Sequence, residues 1–170
     1  QDTIKVLGNQ FEKKIPIRED GSFLDTLYLN EKGFYEFHLS GEVSTFFLQN
    51  GETVDLSIDE DKFDESIQYS GSLAEHNNLL AQIYLKNEEM SGDLKALFSM
   101  KENAFVTAIL KRAEAVKDLI NSSSTNEEFK TLLIKDISYK QTLSLMDYEL
   151  FHPRIVKDPN FQISESFHTH

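Results

Sequence analysis

The feature that most limits how this chain can fold is a change of period at Leu73. Before it, apolar residues alternate with polar ones; after it, they recur every three or four residues. "FLDTLYL" (23–29) puts Phe23, Leu27 and Leu29 on one side, and "FYEFHLS" (34–40) does the same with Tyr35, Phe37 and Leu39. "VSTFFLQ" (43–49) is nearly continuous in β-formers, and "TVDLSID" (53–59) turns Val54, Leu56 and Ile58 inward. Ile67-Gln68-Tyr69 adds a short run, and Thr3-Ile4-Lys5-Val6 reads as a strand whose predecessor lies outside the chain. Period-two alternation marks strands with one buried face. Turn residues stand at 19–22, 30–33, 40–42 and 49–51. Asn50-Gly51 is the strongest hairpin signal, because both residues tolerate positive φ. Strands at this spacing predict an antiparallel, sandwich-like β domain over residues 1–71.

From Leu73 to Glu89 the spacing is helical, with Leu73, Leu80 and Tyr84 on a stripe beside Ile83. "SGD" (91–93) breaks it. A second helix is expected over Leu94–Ile120, with Leu94, Phe98, Phe105, Ile109, Val116 and Ile120 near one face. "NSSST" (121–125) is a loop in which Ser124 or Thr125 can cap a third helix, with Glu127 or Glu128 at capping-box spacing. That helix carries Phe129, Leu132, Leu133, Ile137, Leu143, Met146 and Leu150 as a hairpin core, and Pro153 stops it near Phe151. The tail from 154 to 170 has no sustained pattern. Strands first and helices second predict an α+β arrangement, with a helical segment of about three helices over 72–170.

Composition narrows the function. The chain has 170 residues and a net charge of −12, and residues 1–71 hold 15 acidic against 6 basic residues. Nucleic acid and anionic membrane need a positive patch, and no Lys/Arg-rich run supplies one. With no Cys, the chain itself offers no disulfide, thiolate catalysis or Cys-ligated metal. No apolar run reaches the ~20 residues of a membrane span, and no signal-peptide pattern is present. Gln1 rather than Met stands first, which fits a removed leader or a piece of a longer chain; the first would place it in the envelope.

Several stretches invite a chemical reading. "YSGSLAE" (69–75) is a strand, a glycine turn and a helix start, the layout of a phosphate cradle. It has one glycine and no following Lys, so a corner at Gly71 with Ser72 as N-cap and Glu75 closing a capping box fits better. The acidic run "DLSIDEDKFDES" (55–66) carries Asp55, Asp59, Glu60, Asp61, Asp64 and Glu65. It lacks the glycine of a calcium loop and sets Phe63 where a ligand is needed, so it reads as a solvated connection. His38 lies on an outward strand face, and His152 lies beside the Pro153 stop, where a cation suits a helix C-terminus. His76, His168 and His170 form no H-E-x-x-H, and a zinc site needs three or four convergent ligands. G-x-S-x-G is absent. We therefore expect no catalytic, cofactor-binding or metal-binding residue in this chain. Asn77-Asn78 is unusual early in a helix, since both are middling helix formers. Corner geometry and an interdomain hydrogen bond are the two expectations for the pair.

"GSFLDTLYLNEKGFYEFHL", "TFFLQNGETVDLSIDEDKFDESIQYSG" and "AEHNNLLAQIYL" together resemble the N-terminal region of TlpA/ResA-like envelope thioredoxin-fold disulfide oxidoreductases. The similarity covers residues about 15–90, while 94–151 agree only in position and length. It implies a small β domain and a helical segment preceding a thioredoxin domain with C-x-x-C. That domain is absent here, so no active-site residue carries over. The implied role is a non-catalytic accessory region in the periplasm or cell envelope, lipid-anchored in the parent or not. Its partner would be another protein, the parent's own thioredoxin domain or a second copy. The alternative is a stand-alone envelope lipoprotein or binding module. A carboxylate enzyme using Asp55–Glu65 is a third reading.

Overall fold

The computed structural model describes residues 3–169, with side chains through Phe167. Among these residues the strands are Thr3–Gly8 (β1), Phe11–Pro16 (β2), Gly33–Leu39 (β3), Glu42–Leu48 (β4), Val54–Ser57 (β5) and Gln68–Gly71 (β6). The helices are Phe63–Ser66 (α1), Ala74–Ser91 (α2), Leu94–Ser99 (α3), Glu102–Ser122 (α4) and Glu127–Val156 (α5). Strands therefore precede the long helices, an α+β order. The chain forms two compact units, Gln1–Leu85 and Lys86–His170, divided inside α2.

In the first unit, β2-β1-β3-β4 form an antiparallel sheet, and β5 pairs β6 in a separate antiparallel ribbon. The alternating residues behave as their period requires: Ile4, Val6, Tyr35, Phe37 and Leu39 are buried. One apolar cluster joins them to Phe46, Phe63, Ile67 and Tyr69. β3 and β4 turn over at Ser40-Gly41, both with positive φ (52° and 96°), the backbone a two-residue hairpin favours. β1 has both its neighbours within the chain, β2 and β3. β2 itself was not anticipated: it buries only Ile15 along its length, so its alternation is weak.

Two β expectations need correction. Residues 23–29 form no ladder, although Leu29 is buried and Phe23 and Leu27 pack on the core while Leu24 and Tyr28 face out. Their alternation gave the right face without a partner strand. Asn50-Gly51 makes a turn, with Glu52 N–H donating to Gln49 O at 3.3 Å, but its flanking strands β4 and β5 belong to different sheets. Only Gly51 of the pair has positive φ, so the two-residue hairpin geometry is not adopted.

In the second unit α4 packs along α5. Phe105, Val106, Ile109, Val116 and Ile120 of α4 are buried, as are Phe129, Leu133, Ile137, Leu145 and Tyr148 of α5. The single expected helix over 94–120 is interrupted between Ser99 and Glu102, where Met100 and Lys101 take extended ψ of 153° and 152°. No Gly or Pro marks this break. It persists because Tyr148 and His152 take up the carbonyls it frees: Tyr148 Oη donates to Met100 O at 2.7 Å, and His152 Nδ1 donates to Phe98 O at 2.8 Å.

α5 departs from expectation at both ends. Its N-cap is Asn126, whose side chain accepts from Phe129 N–H at 2.9 Å, while Thr125 is buried and bonds Ser123. Pro153 does not stop it; the helix runs to Val156 and ends at Lys157 in the left-handed region (φ 59°). Proline removes one ladder donor, and the buried His152 ring anchors the final turn against Phe98 O. The patternless tail is ordered cover: Phe161, Ile163 and Phe167 pack on the Phe105–Tyr148 cluster, and Ser164 N–H donates to Glu102 Oε1 at 2.9 Å. The anticipated hairpin core is also too broad. Leu132, Leu143, Met146 and Leu150 are exposed.

Candidate functional site

The corner at 69–78 is the most constrained part of the first unit. Gly71 has φ +90°, and a Cβ there would sit 2.5 Å from Thr53 O, so only glycine fits on both counts. Ser72 does not cap α2. Its N–H donates to Thr53 O at 3.0 Å, and its hydroxyl oxygen accepts from Thr53 N–H at 3.0 Å. The capping-box expectation for Ser72 and Glu75 gives way because Ser72 closes the end of the β5–β6 ribbon instead. The Ser72 N–H, one of the donors a phosphate cradle would use, is thus engaged within the protein.

Asn77 and Asn78 carry the corner's packing. Asn77 is fully buried. Its Oδ1 accepts from Phe47 N–H, while Nδ2 donates to Phe47 O at 3.1 Å and to Leu73 O at 3.2 Å. Asn78 repeats the device on Tyr69, accepting from its N–H at 2.9 Å and donating to its carbonyl at 2.8 Å. Asn50 does it a third time, on Leu29, at 3.0 and 2.8 Å. A carboxamide presents one donor and one acceptor side by side, as a peptide unit does. Each asparagine therefore stands in for one residue of a missing strand: Asn77 against the β4 edge, Asn78 against β6, Asn50 against the unpaired 23–29 segment. Both expectations for Asn77-Asn78 meet here: the bonds fix the corner and run from the helix start back to Phe47 and Tyr69, across the expected boundary at 71/72 but inside the first compact unit. The expected inward stripe of α2 shifts accordingly: Leu73, Asn77, Leu79 and Ile83 are buried and Tyr84 is not.

The titratable groups nearby are held by burial. Tyr69 is buried beside Ser44, and burial pushes its phenol up to about 12. His76 stacks on Phe47 with ring centroids 5.6 Å apart. Burial lowers its pKa, partly opposed by Glu75 and Glu52. His38 pairs with Glu36 at 2.8 Å across the outer sheet face. A depression of about 400 Å³ on the sheet is lined by Leu7, Gly8, Phe34, Tyr35, Glu36 and Thr45, with Glu36 its only charged group.

The remaining sequence candidates are dispersed. Asp59 caps the turn at Glu60–Lys62, accepting from Asp61 N–H at 3.1 Å, and Phe63 drops from the acidic run into the core. Among the described residues no three His, Cys, Asp or Glu side chains come together as a metal set. His152 is not at a helix terminus but buried, 4.6 Å from the Tyr148 ring centroid and 4.4 Å from that of Phe161. His170 lies outside the described residues, as does the side chain of His168. Among the described residues no helix is long and apolar enough to cross a membrane. Sequence reasoning missed Asn50 as a structural residue; its turn signal masked its side chain's use. The chain matches no protein-family model, no curated protein and no solved structure.

Proposed function

We propose that this chain is a non-catalytic accessory region of an envelope thiol–disulfide oxidoreductase, whose C-x-x-C thioredoxin domain belongs to the same parent protein. The observation that carries the reading is the run from Gly21 to Leu85, which resembles that family's N-terminal region in a chain without Cys. The corner supports it in kind: Gly71, Asn77 and Asn78 are committed to folding, not to chemistry. The β5–β6 ribbon shares one apolar cluster with the larger sheet, and we read it as the second layer of a sandwich-like domain. Thiolate exchange would be performed by the parent's thioredoxin domain, which this region would position or link to a protein partner in the periplasm. The test is dithiol-dependent insulin reduction by the full-length gene product and by this chain alone. Activity in the first and none in the second is expected. A full-length product with no C-x-x-C and no activity would overturn the reading.

A second reading, a stand-alone envelope lipoprotein or binding module, is favoured by one observation. Tyr139, Leu143, Met146 and Leu150 of α5 are exposed apolar residues along one stripe, which lone domains rarely show. A lipid-attachment Cys immediately upstream and no thioredoxin domain downstream would decide for it.

A further inference from the structure

α5 has two apolar faces. Phe129, Leu133, Ile137, Leu145, Tyr148 and His152 form the buried one. Tyr139, Leu143, Met146 and Leu150 are 58, 58, 65 and 47% exposed, with Leu132 in line above them at 42%. At 3.6 residues per turn this second set lies opposite the first. Its 4-3-4 spacing is that of a coiled-coil seam. An ordinary surface helix has one apolar stripe, and here a second is left uncovered.

We propose that this face of α5 pairs antiparallel with the same face of a second copy of the chain, a contact that goes beyond the oxidoreductase reading and does not depend on it. Charge selects both occupant and direction. With Leu143 of one copy against Met146 of the other, and Tyr139 against Leu150, Lys140 comes opposite Asp147 of the second copy. The two-fold axis repeats that pair. A parallel arrangement would lose both copies of that pair within the contact, setting the uncharged Thr142 against Asp147 instead. Lys140 also holds Asp136 of its own helix at 2.8 Å, so it sits between two carboxylates. Residues 86–170 carry 11 basic and 13 acidic residues, so two such units approach without the repulsion that 15 acidic against 6 basic residues impose on 1–71. Asp136 interrupts the seam above Tyr139, which confines the contact to 139–150.

Sedimentation equilibrium of the 170-residue chain tests this. A dimer is expected. Leu143→Asp with Met146→Asp should weaken it about tenfold or more with unchanged circular dichroism, because both side chains lie outside the core. Asp147→Lys should weaken it, and Lys140→Asp combined with Asp147→Lys should restore it. The chain has no Cys, so single cysteines report geometry cleanly. Oxidised Leu143→Cys should cross-link near the two-fold axis, and Leu132→Cys should not. A wild-type monomer up to ~100 μM, where even weak specific contacts register, would overturn the proposal. So would a dimer indifferent to the Asp pair, or equal cross-linking at 132 and 143.

Discussion

The two units solve one problem with different side chains. Each leaves backbone groups without partners inside the fold: edge strands and an unpaired segment in the first, an interrupted helix in the second. The first unit answers with carboxamides, each meeting an N–H and a C=O of one residue. The second answers with rings, Tyr148 and His152, each meeting a single carbonyl while stacking among Phe105, Phe161 and Phe167. A strand edge presents donor and acceptor together, so an amide suits it. The groups met at the helix break are carbonyls at the end of α3, so a donor on an aromatic body suffices there and contributes burial as well.

This contrast gives ordered expectations. Tyr148→Ala should cost most, about 4 kcal/mol, since it removes a fully buried ring and its hydrogen bond; denaturant unfolding of the 86–170 unit with near-ultraviolet dichroism measures it. Asn77→Ala should cost roughly 3 kcal/mol, because it strands a buried N–H and C=O at Phe47. Hydrogen exchange at the Phe47 amide should quicken with it. Tyr148→Phe keeps the ring and loses only the bond to Met100 O, so about 1 kcal/mol is expected. If Tyr148→Phe proves as costly as Tyr148→Ala, the hydrogen bond and not the stack holds the second unit, and the contrast fails.

Titration separates the units more gently. Tyr69 and Tyr148 both have phenols raised to about 12 by burial, from 10.0. Each stays neutral in the fold while the unfolded chain ionises, so their stability is full below pH 10 and lost as pH rises through 12. Both units should weaken there. His76 acts only in the first unit and with the opposite dependence. Its folded value lies below 6.5, so its contribution is present above pH 6.5 and lost as pH falls through the folded value. His76→Phe should flatten that acid limb for the first unit alone, read as urea midpoint against pH.

Where alternation was strong and turn chemistry local, the sequence was readable: β3, β4 and the Ser40-Gly41 hairpin follow from Tyr35, Phe37, Leu39 and two turn-tolerant residues. The failures share a cause. Asn50-Gly51 has hairpin chemistry but no paired strands, because pairing is a contact between distant segments. Residues 23–29 have strand alternation but receive Asn50 in place of a neighbour. The Ser99–Glu102 break and the turn beyond Pro153 are held by Tyr148 and His152, some fifty residues from the carbonyls they meet. The absence of Cys bounded the chemistry from composition alone, whereas the uncovered face of α5 became visible only when burial distinguished Leu143 and Met146 from Leu145 and Tyr148.

The sequence by itself determined the period change at Leu73, a turn at Gly71, and a chain with no thiol. These are local facts, set by side-chain spacing and backbone sterics. The tertiary structure alone decided which strand meets which, that asparagines complete the edges, and which of α5's two apolar faces is covered. Those outcomes depend on satisfying buried donors and acceptors across long sequence separations, and no local pattern encodes which partner arrives.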